Sequence, residues 1–228
     1  MKKLLWILTG LPLVVTAFAL QFMPDSIPVH YNIAGEIDRW GSKYESLIMP
    51  VVIIFFTVFW EILFAFYNKK LKNATEEKQR AELISNVKVM RITAVCIAAF
   101  MEVMQYISIY NACVNSDAGI EYLEIDSIKV TCVLMGLVFV IIGNFLPKTK
   151  LNGTIGLRVT YSMYNDVTWS KSNRFCGFAF IIAGILTAVT SVIFNKALAL
   201  ILMLVYIMAL VIISIIYAKK IYDEEKTK

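Results

Sequence analysis

This chain is poorest in charge, histidine and paired cysteine, and each shortage excludes something. Charged residues make up 17% of its 228 residues, whereas a soluble globular domain carries about a quarter. The one histidine, His30, excludes a His-rich metal site. The four cysteines, Cys96, Cys113, Cys132 and Cys176, form no CxxC and no Cys/His cluster. They read as small apolar packing residues, although Cys113 and Cys132 both fall near one expected membrane face, where a disulfide could join the third and fourth spans. HExxH, GxSxG and the P-loop are absent, so the expectation is a non-enzyme without cofactor or metal. There is no low-complexity tract and no clear repeat. The stretches between apolar runs reach roughly 20 to 28 residues, short of the ~40 at which a hydrophobic core can sustain itself.

What remains is apolar. Hydrophobic residues are 59% of the chain and the mean hydropathy is +0.69. Crossing a bilayer takes about 20 apolar residues in a helix, and six stretches qualify: Leu4 to Met23, Leu47 to Tyr67, Val89 to Cys113, Ser127 to Leu146, Phe175 to Phe194 and Ala197 to Ala218. The fold class expected is an all-α integral membrane protein of six transmembrane helices. It has a short extracellular cap after the first helix and a cytoplasmic motif loop between the fourth and fifth.

Basic residues set the orientation. With both termini inside, eighteen of the 22 Lys and Arg residues are cytoplasmic, leaving Arg39, Lys43, Lys129 and Lys196 outside. The net charge of +5 is thus explained by topology, and because the basic residues alternate with apolar spans, no direct nucleic-acid binding is expected. The 68–88 loop and the 147–174 segment face the cytoplasm; the 24–46 and 114–126 loops face out. Lys2 and Lys3 before an apolar run ending Ala17-Phe18-Ala19 also fit a cleavable signal peptide. The run outlasts a usual signal core, which favours a retained first helix.

Two polar segments stand out. In the first outer loop, Pro24 and Pro28 keep the entry extended, Ile27, Val29 and Tyr31 alternate as in a strand, and Ala34-Gly35 offers a turn. Trp40 and Tyr44 are expected at the headgroup level. His30, Asn32, Gly35, Asp38, Ser42 and Lys43 are candidate ligand contacts, or a hydrogen-bonding set that satisfies the turn itself.

The second segment runs GNFLPKTKLNGTIGLRVTYSMYNDVTWSKSNR from Gly143 to Arg174. Pro147 should end the fourth span at Leu146, Asn152-Gly153 reads as a turn, and Asp166 is an expected N-cap for the fifth helix. Tyr161, Tyr164 and Trp169 are expected at the inner interface, ringed by Lys148, Lys150, Lys171 and Arg174, a set suited to anionic headgroups, a carboxylate-rich peptide or an acidic protein surface. A positive loop lying on headgroups accounts for the charge, but not for Asn144, Asn152 and the glycines. Asn144, Pro147, Lys148, Lys150, Asn152, Gly156, Arg158, Trp169, Lys171 and Arg174 are the candidate functional motif.

The pattern PxxIPxHxNxxGxxDxxGSK after the first span resembles a domain of unknown function numbered 1648. The Gly143 to Arg174 cassette resembles the signature of the SdpI-like family, immunity proteins against sporulation-delaying-protein toxins. Gly143, Asn144, Pro147, Lys148, Lys150, Asn152, Gly156 and Arg158 match, followed by Trp169, Lys171 and Arg174. The chain departs from that signature at Val159-Thr160-Tyr161-Ser162, where Thr-Pro-Trp-Thr is usual, at Asp166 in place of Glu, and at Asn173 in place of His. The resemblance implies a bilayer protein that protects its producer from a secreted membrane-active peptide toxin. It also implies a signalling output in which a cytoplasmic repressor protein is held at the inner face.

One further feature supports a different class. Glu102 lies mid-span with Gln105 and Tyr106 on the same helical face, and a carboxylate at that depth costs about 2.5 kcal/mol or more unless partnered. Asn144, Arg158 or Arg91 could serve. Glu61 lies closer to its helix end. The alternative is a small proton-coupled transporter, or a membrane-embedded enzyme acting on a lipid-like or peptide substrate. No inverted repeat or broken helix pair accompanies it. The expected organisation is 1–67 for the first two helices with their cap, 68–126 for the inner loop, third helix and outer loop, 127–218 for the cassette and its helices, and 219–228 for a cytoplasmic tail.

Overall fold

A computed structural model describes residues 1–32, 36–114 and 126–228. Among them, six helices are long and apolar enough to cross a membrane. They are α1 (Lys2–Ala19), α2 (Ile48–Asn73), α3 (Glu77–Val114), α4 (Ser127–Phe145), α5 (Asp166–Ile193) and α6 (Lys196–Lys226). Between α1 and α2, β1 (Ser26–Tyr31) and β2 (Ile37–Ser42) form an antiparallel hairpin. The expected strand at Ile27 to Tyr31 is present, and its return partner was not foreseen; the expected turn at Ala34-Gly35 lies outside the described residues, as does most of the 114–126 loop.

The helices exceed the apolar stretches mainly at one end of the bundle. Residues 68–88 are not a loop: α2 continues to Asn73 and α3 begins at Glu77, leaving three linking residues. Hydropathy misses these turns because they are polar, yet Glu, Lys, Gln, Arg and Ala are strong helix formers. Likewise α5 starts nine residues before Phe175, and α6 runs past Ala218 to Lys226.

Two three-helix groups make up the bundle. Leu5 of α1, Trp60, Phe64 and Tyr67 of α2 and Val87, Met90, Ala94 and Ala98 of α3 share one core. Polar pairs pin this group: Thr9 and Thr57 hydroxyls are 2.7 Å apart, and Gln105 Nε2 donates to Thr16 Oγ1 at 2.9 Å. Hydrogen bonds between membrane helices contribute about 0.6 kcal/mol each, since lipid offers no competing partner but the unpacked helices find others.

In the second group α4 and α5 approach almost backbone to backbone. A Cβ on Gly136 would stand 2.6 Å from the Gly184 carbonyl, and one on Gly143 would stand 2.6 Å from that of Gly177. The reciprocal additions are as crowded, so two glycine pairs one heptad apart set the helix separation. α6 closes the group, stacking Tyr217 on Phe175 with ring centroids 4.1 Å apart. No disulfide joins Cys113 to Cys132.

Candidate functional site

The polar segment after α4 is a folded plug at the end of the bundle where both termini emerge. Pro147 ends α4 as expected: the helix stops at Phe145 and a single 3-10 turn, Leu146–Lys148, follows. That turn packs on α5, where a Cβ on Gly177 would come within 2.8 Å of the Pro147 ring. Asn152 organises the next turn by itself. Its Oδ1 accepts the Thr154 and Ile155 N–H groups at 2.7 and 2.8 Å, and its Nδ2 donates to the Lys150 and Ile155 carbonyls.

Trp169 is the hub, and its position corrects the expectation of an interfacial ring. It is 1% exposed, and its Nε1 donates to the Thr149 carbonyl at 3.1 Å. Burial explains the pairing, since an unpartnered indole N–H in this core would be costly. Gly156 lies against it with φ +125°, a conformation L side chains rarely adopt, and a Cβ there would stand 2.7 Å from both Trp169 Cζ2 and Asn173 Oδ1. Asn173 accepts the Leu157 N–H at 2.7 Å and donates to the Trp169 carbonyl at 3.0 Å. The departure from the family signature at this position is thus a structural residue of the plug. Asn165, not Asp166, caps α5, in a reciprocal box with Thr168. The two differ by one place, and Asn165 alone has the extended backbone a cap needs.

The plug is fastened to the first helix group. Asn86 of α3, 2% exposed, accepts the Lys150 N–H at 2.7 Å. Ser85 Oγ donates to the Lys148 carbonyl at 2.6 Å, and the Tyr67 and Thr154 hydroxyls lie 2.7 Å apart. Sequence reading missed Asn86, Thr149, Ser162 and Asn173. Ser162 is fully buried and tethers Leu157 and Val159, but nothing in its neighbourhood marks it in the sequence.

The candidate residues therefore separate into two sets. Pro147, Asn152, Gly156 and Trp169 build the plug. The side chains of Asn144, Lys148, Lys150, Arg158, Lys171 and Arg174 are exposed. Among these, Lys148 Nζ covers the Phe145 ring at 4.3 Å and Lys171 pairs with Glu225 of α6 at 3.6 Å. Tyr161 and Tyr164 both pack on Tyr222 of α6.

At the opposite end, the hairpin is seated on α3 through Met23, Ile27 and Ala112. Its candidate residues engage one another. His30 Nδ1 lies 2.5 Å from Asp38 Oδ1, and Asn32 bonds the Glu36 side chain and backbone. Ser42 and Glu45 form a capping box on the turn before α2. Lys43 binds Asp25 at 2.8 Å, and this hydrogen bond with its charge attraction holds the Asp25 carboxyl below its ordinary range. Gly35 lies outside the described residues. Beneath the hairpin a cavity of about 280 Å³ opens between Ile27, Val29, Met49, Val52, Met104 and Ser108, with the Arg39–Glu45 ion pair at its edge.

Inside the bundle, Glu102 is 6% exposed and accepts the Tyr106 hydroxyl at 2.6 Å, one turn along its own helix. It bonds none of Asn144, Arg158 and Arg91. Gln105 points instead to Thr16 and the Ser46 carbonyl. Glu61, midway along α2 and not near its end, meets Lys2 at 3.3 Å.

Known proteins resemble the chain in both regions. Residues 148–218 match the SdpI/YfhL protein family, and residues 7–54 match a domain of unknown function, DUF1648. The Immunity protein SdpI of Bacillus subtilis (strain 168) is 21% identical over 206 residues, covering 90% of this chain and 88% of that protein. No solved structure matches. Both resemblances read from the sequence are therefore found: the first on the hairpin with most of α1 and the start of α2, the second on the plug from Lys148 onward with α5 and most of α6, which leaves Gly143, Asn144 and Pro147 of the cassette outside the match.

Proposed function

We propose that this multi-pass membrane protein is an immunity protein, protecting its cell from a secreted membrane-active peptide toxin. The carrying observation is likeness to an immunity protein along nearly the whole chain, joined to a bundle with a distinct polar structure at each end. The hairpin end faces out, by the distribution of basic residues, and the cavity beneath the hairpin receives the peptide. It offers apolar walls of Ile27, Val29, Met49, Val52 and Met104, and an Arg39–Glu45 pair to orient polar groups. Such a site suits an amphipathic segment, which needs an apolar groove and a charged rim.

The plug faces the cytoplasm in this reading. Its exposed basic side chains, Lys148, Lys150, Arg158 and Arg174, form the inner recognition surface on which protection itself depends, and a cytoplasmic repressor protein is recruited to the same surface when toxin occupies the outer cavity. Glu102 gives no support to proton coupling, because its hydrogen bond closes on Tyr106 of the same helix.

Binding of purified toxin peptide to the protein in nanodiscs tests the outer site. Ser108 is exposed and lines the cavity, so Ser108→Trp should fill it and weaken binding at least tenfold while the bundle stays folded. Unchanged binding in that variant would place the peptide elsewhere.

A further inference from the structure

The turns of α2 and α3 that run past the apolar spans enclose, with the plug, a groove of about 610 Å³. Its walls are Lys69, Lys70 and Asn73 from α2, Gln79 and Glu82 from α3, and Leu151 to Gly153 from the plug. The side chains of Lys69, Asn73 and Gln79 make no hydrogen bond or ion pair among the described residues, and Lys70 meets only the Phe66 and Tyr67 rings, at 4.6 and 5.9 Å. Glu82 stands 3.9 Å from Lys78, which offsets its charge. Two ammonium groups and two amides therefore line an open space with no anion or hydrogen-bond partner among the described residues.

The depth of the groove indicates its occupant. It begins where the apolar span ends at Tyr67, the level of phospholipid headgroups. Along the outside of α2, Phe55, Phe59, Ile62 and Phe66 are exposed at helical spacing and lead up to it. This stripe is long enough to carry an acyl chain, and basic pockets at the ends of membrane helices are where anionic headgroups bind.

We infer that this groove holds the headgroup of an anionic phospholipid, its phosphate between Lys69 and Lys70, its polar head against Asn73 and Gln79, and one acyl chain along the α2 stripe. The lipid would brace the α2–α3 turns against the plug at the junction of the two helix groups. This goes beyond immunity and does not depend on it.

The test uses the full chain in phosphatidylcholine nanodiscs doped with phosphatidylglycerol, with retained lipid quantified after detergent extraction. Phosphatidylglycerol should be retained over phosphatidylcholine, and Lys69→Gln with Lys70→Gln should lower that preference roughly 10- to 30-fold. Gly153→Glu should do the same: a Cβ there meets nothing within 4 Å, so the added carboxylate enters the groove without disturbing the plug. Lys72→Gln, on the same helix but outside the lining, should change little. Equal loss in Lys72→Gln, or no loss in the double lysine variant, would overturn the site. Displacement of the lipid by free glycerol 3-phosphate or by polyglutamate would overturn the lipid as its occupant, in favour of a soluble phosphate or an acidic protein segment.

Discussion

The Lys150 N–H donates to Asn86 Oδ1 at 2.7 Å, across 64 residues of sequence, so the plug is held by a buried side chain of α3 and not by its own helices alone. Asn86→Leu keeps the volume and removes the acceptor, leaving a backbone donor stranded. Thermal unfolding in detergent should show a loss of about 1–3 kcal/mol. Tyr67→Phe, which removes one hydroxyl partner of Thr154, should cost about 1 kcal/mol.

Two glycines of the plug should behave oppositely. Gly156→Ala forces a side chain into a φ of +125° and onto Trp169 and Asn173, a combined strain of about 2 kcal/mol or more. Gly153→Ala meets open space and should fall within about 0.5 kcal/mol of the native chain. Melting curves of the two variants decide this, and equal effects would mean that Gly156 does not need its positive φ or its close approach to Trp169.

The glycine pairs between α4 and α5 lead to a third expectation. Gly143→Leu must push α5 away or turn α4, costing about 1–3 kcal/mol or more. Because Pro147 rests on Gly177, the opposite partner of Gly143, the plug should loosen with it. Limited proteolysis within residues 149–165 would report that loosening.

Fold and function should separate within the cassette. Trp169→Ala opens a void at the hub, about 3–5 kcal/mol, and should lower membrane abundance. Arg158→Ala and Arg174→Ala change exposed side chains that have no partner among the described residues. They should leave abundance intact and remove protection. Immunoblotting of membranes beside a survival assay distinguishes the two effects.

The spans and the break at Pro147 were legible because hydropathy and proline act locally. The polar ends were read less well. Residues 68–88 look like a loop by hydropathy, yet they form helix because their propensity is high and the plug packs on them through Ser85 and Asn86. Trp169 carries the usual look of an interfacial aromatic, and only the tertiary partners Thr149 and Gly156 put it inside. Glu102 invited a distant cationic partner, whereas its own helix supplies Tyr106. The cassette was found as a unit from its density of Asn, Gly, Trp and basic residues. Which of those residues build it and which face outward depends on contacts between residues far apart in the chain.

The most direct measurement is survival and membrane potential of a toxin-sensitive bacterium producing this protein, challenged with a sporulation-delaying-type peptide and with peptides secreted by the source strain. The account predicts that the native chain preserves both, and that Arg158→Ala at equal membrane abundance preserves neither. Loss of potential in cells holding the native chain, with insertion confirmed and every peptide tried, would contradict it.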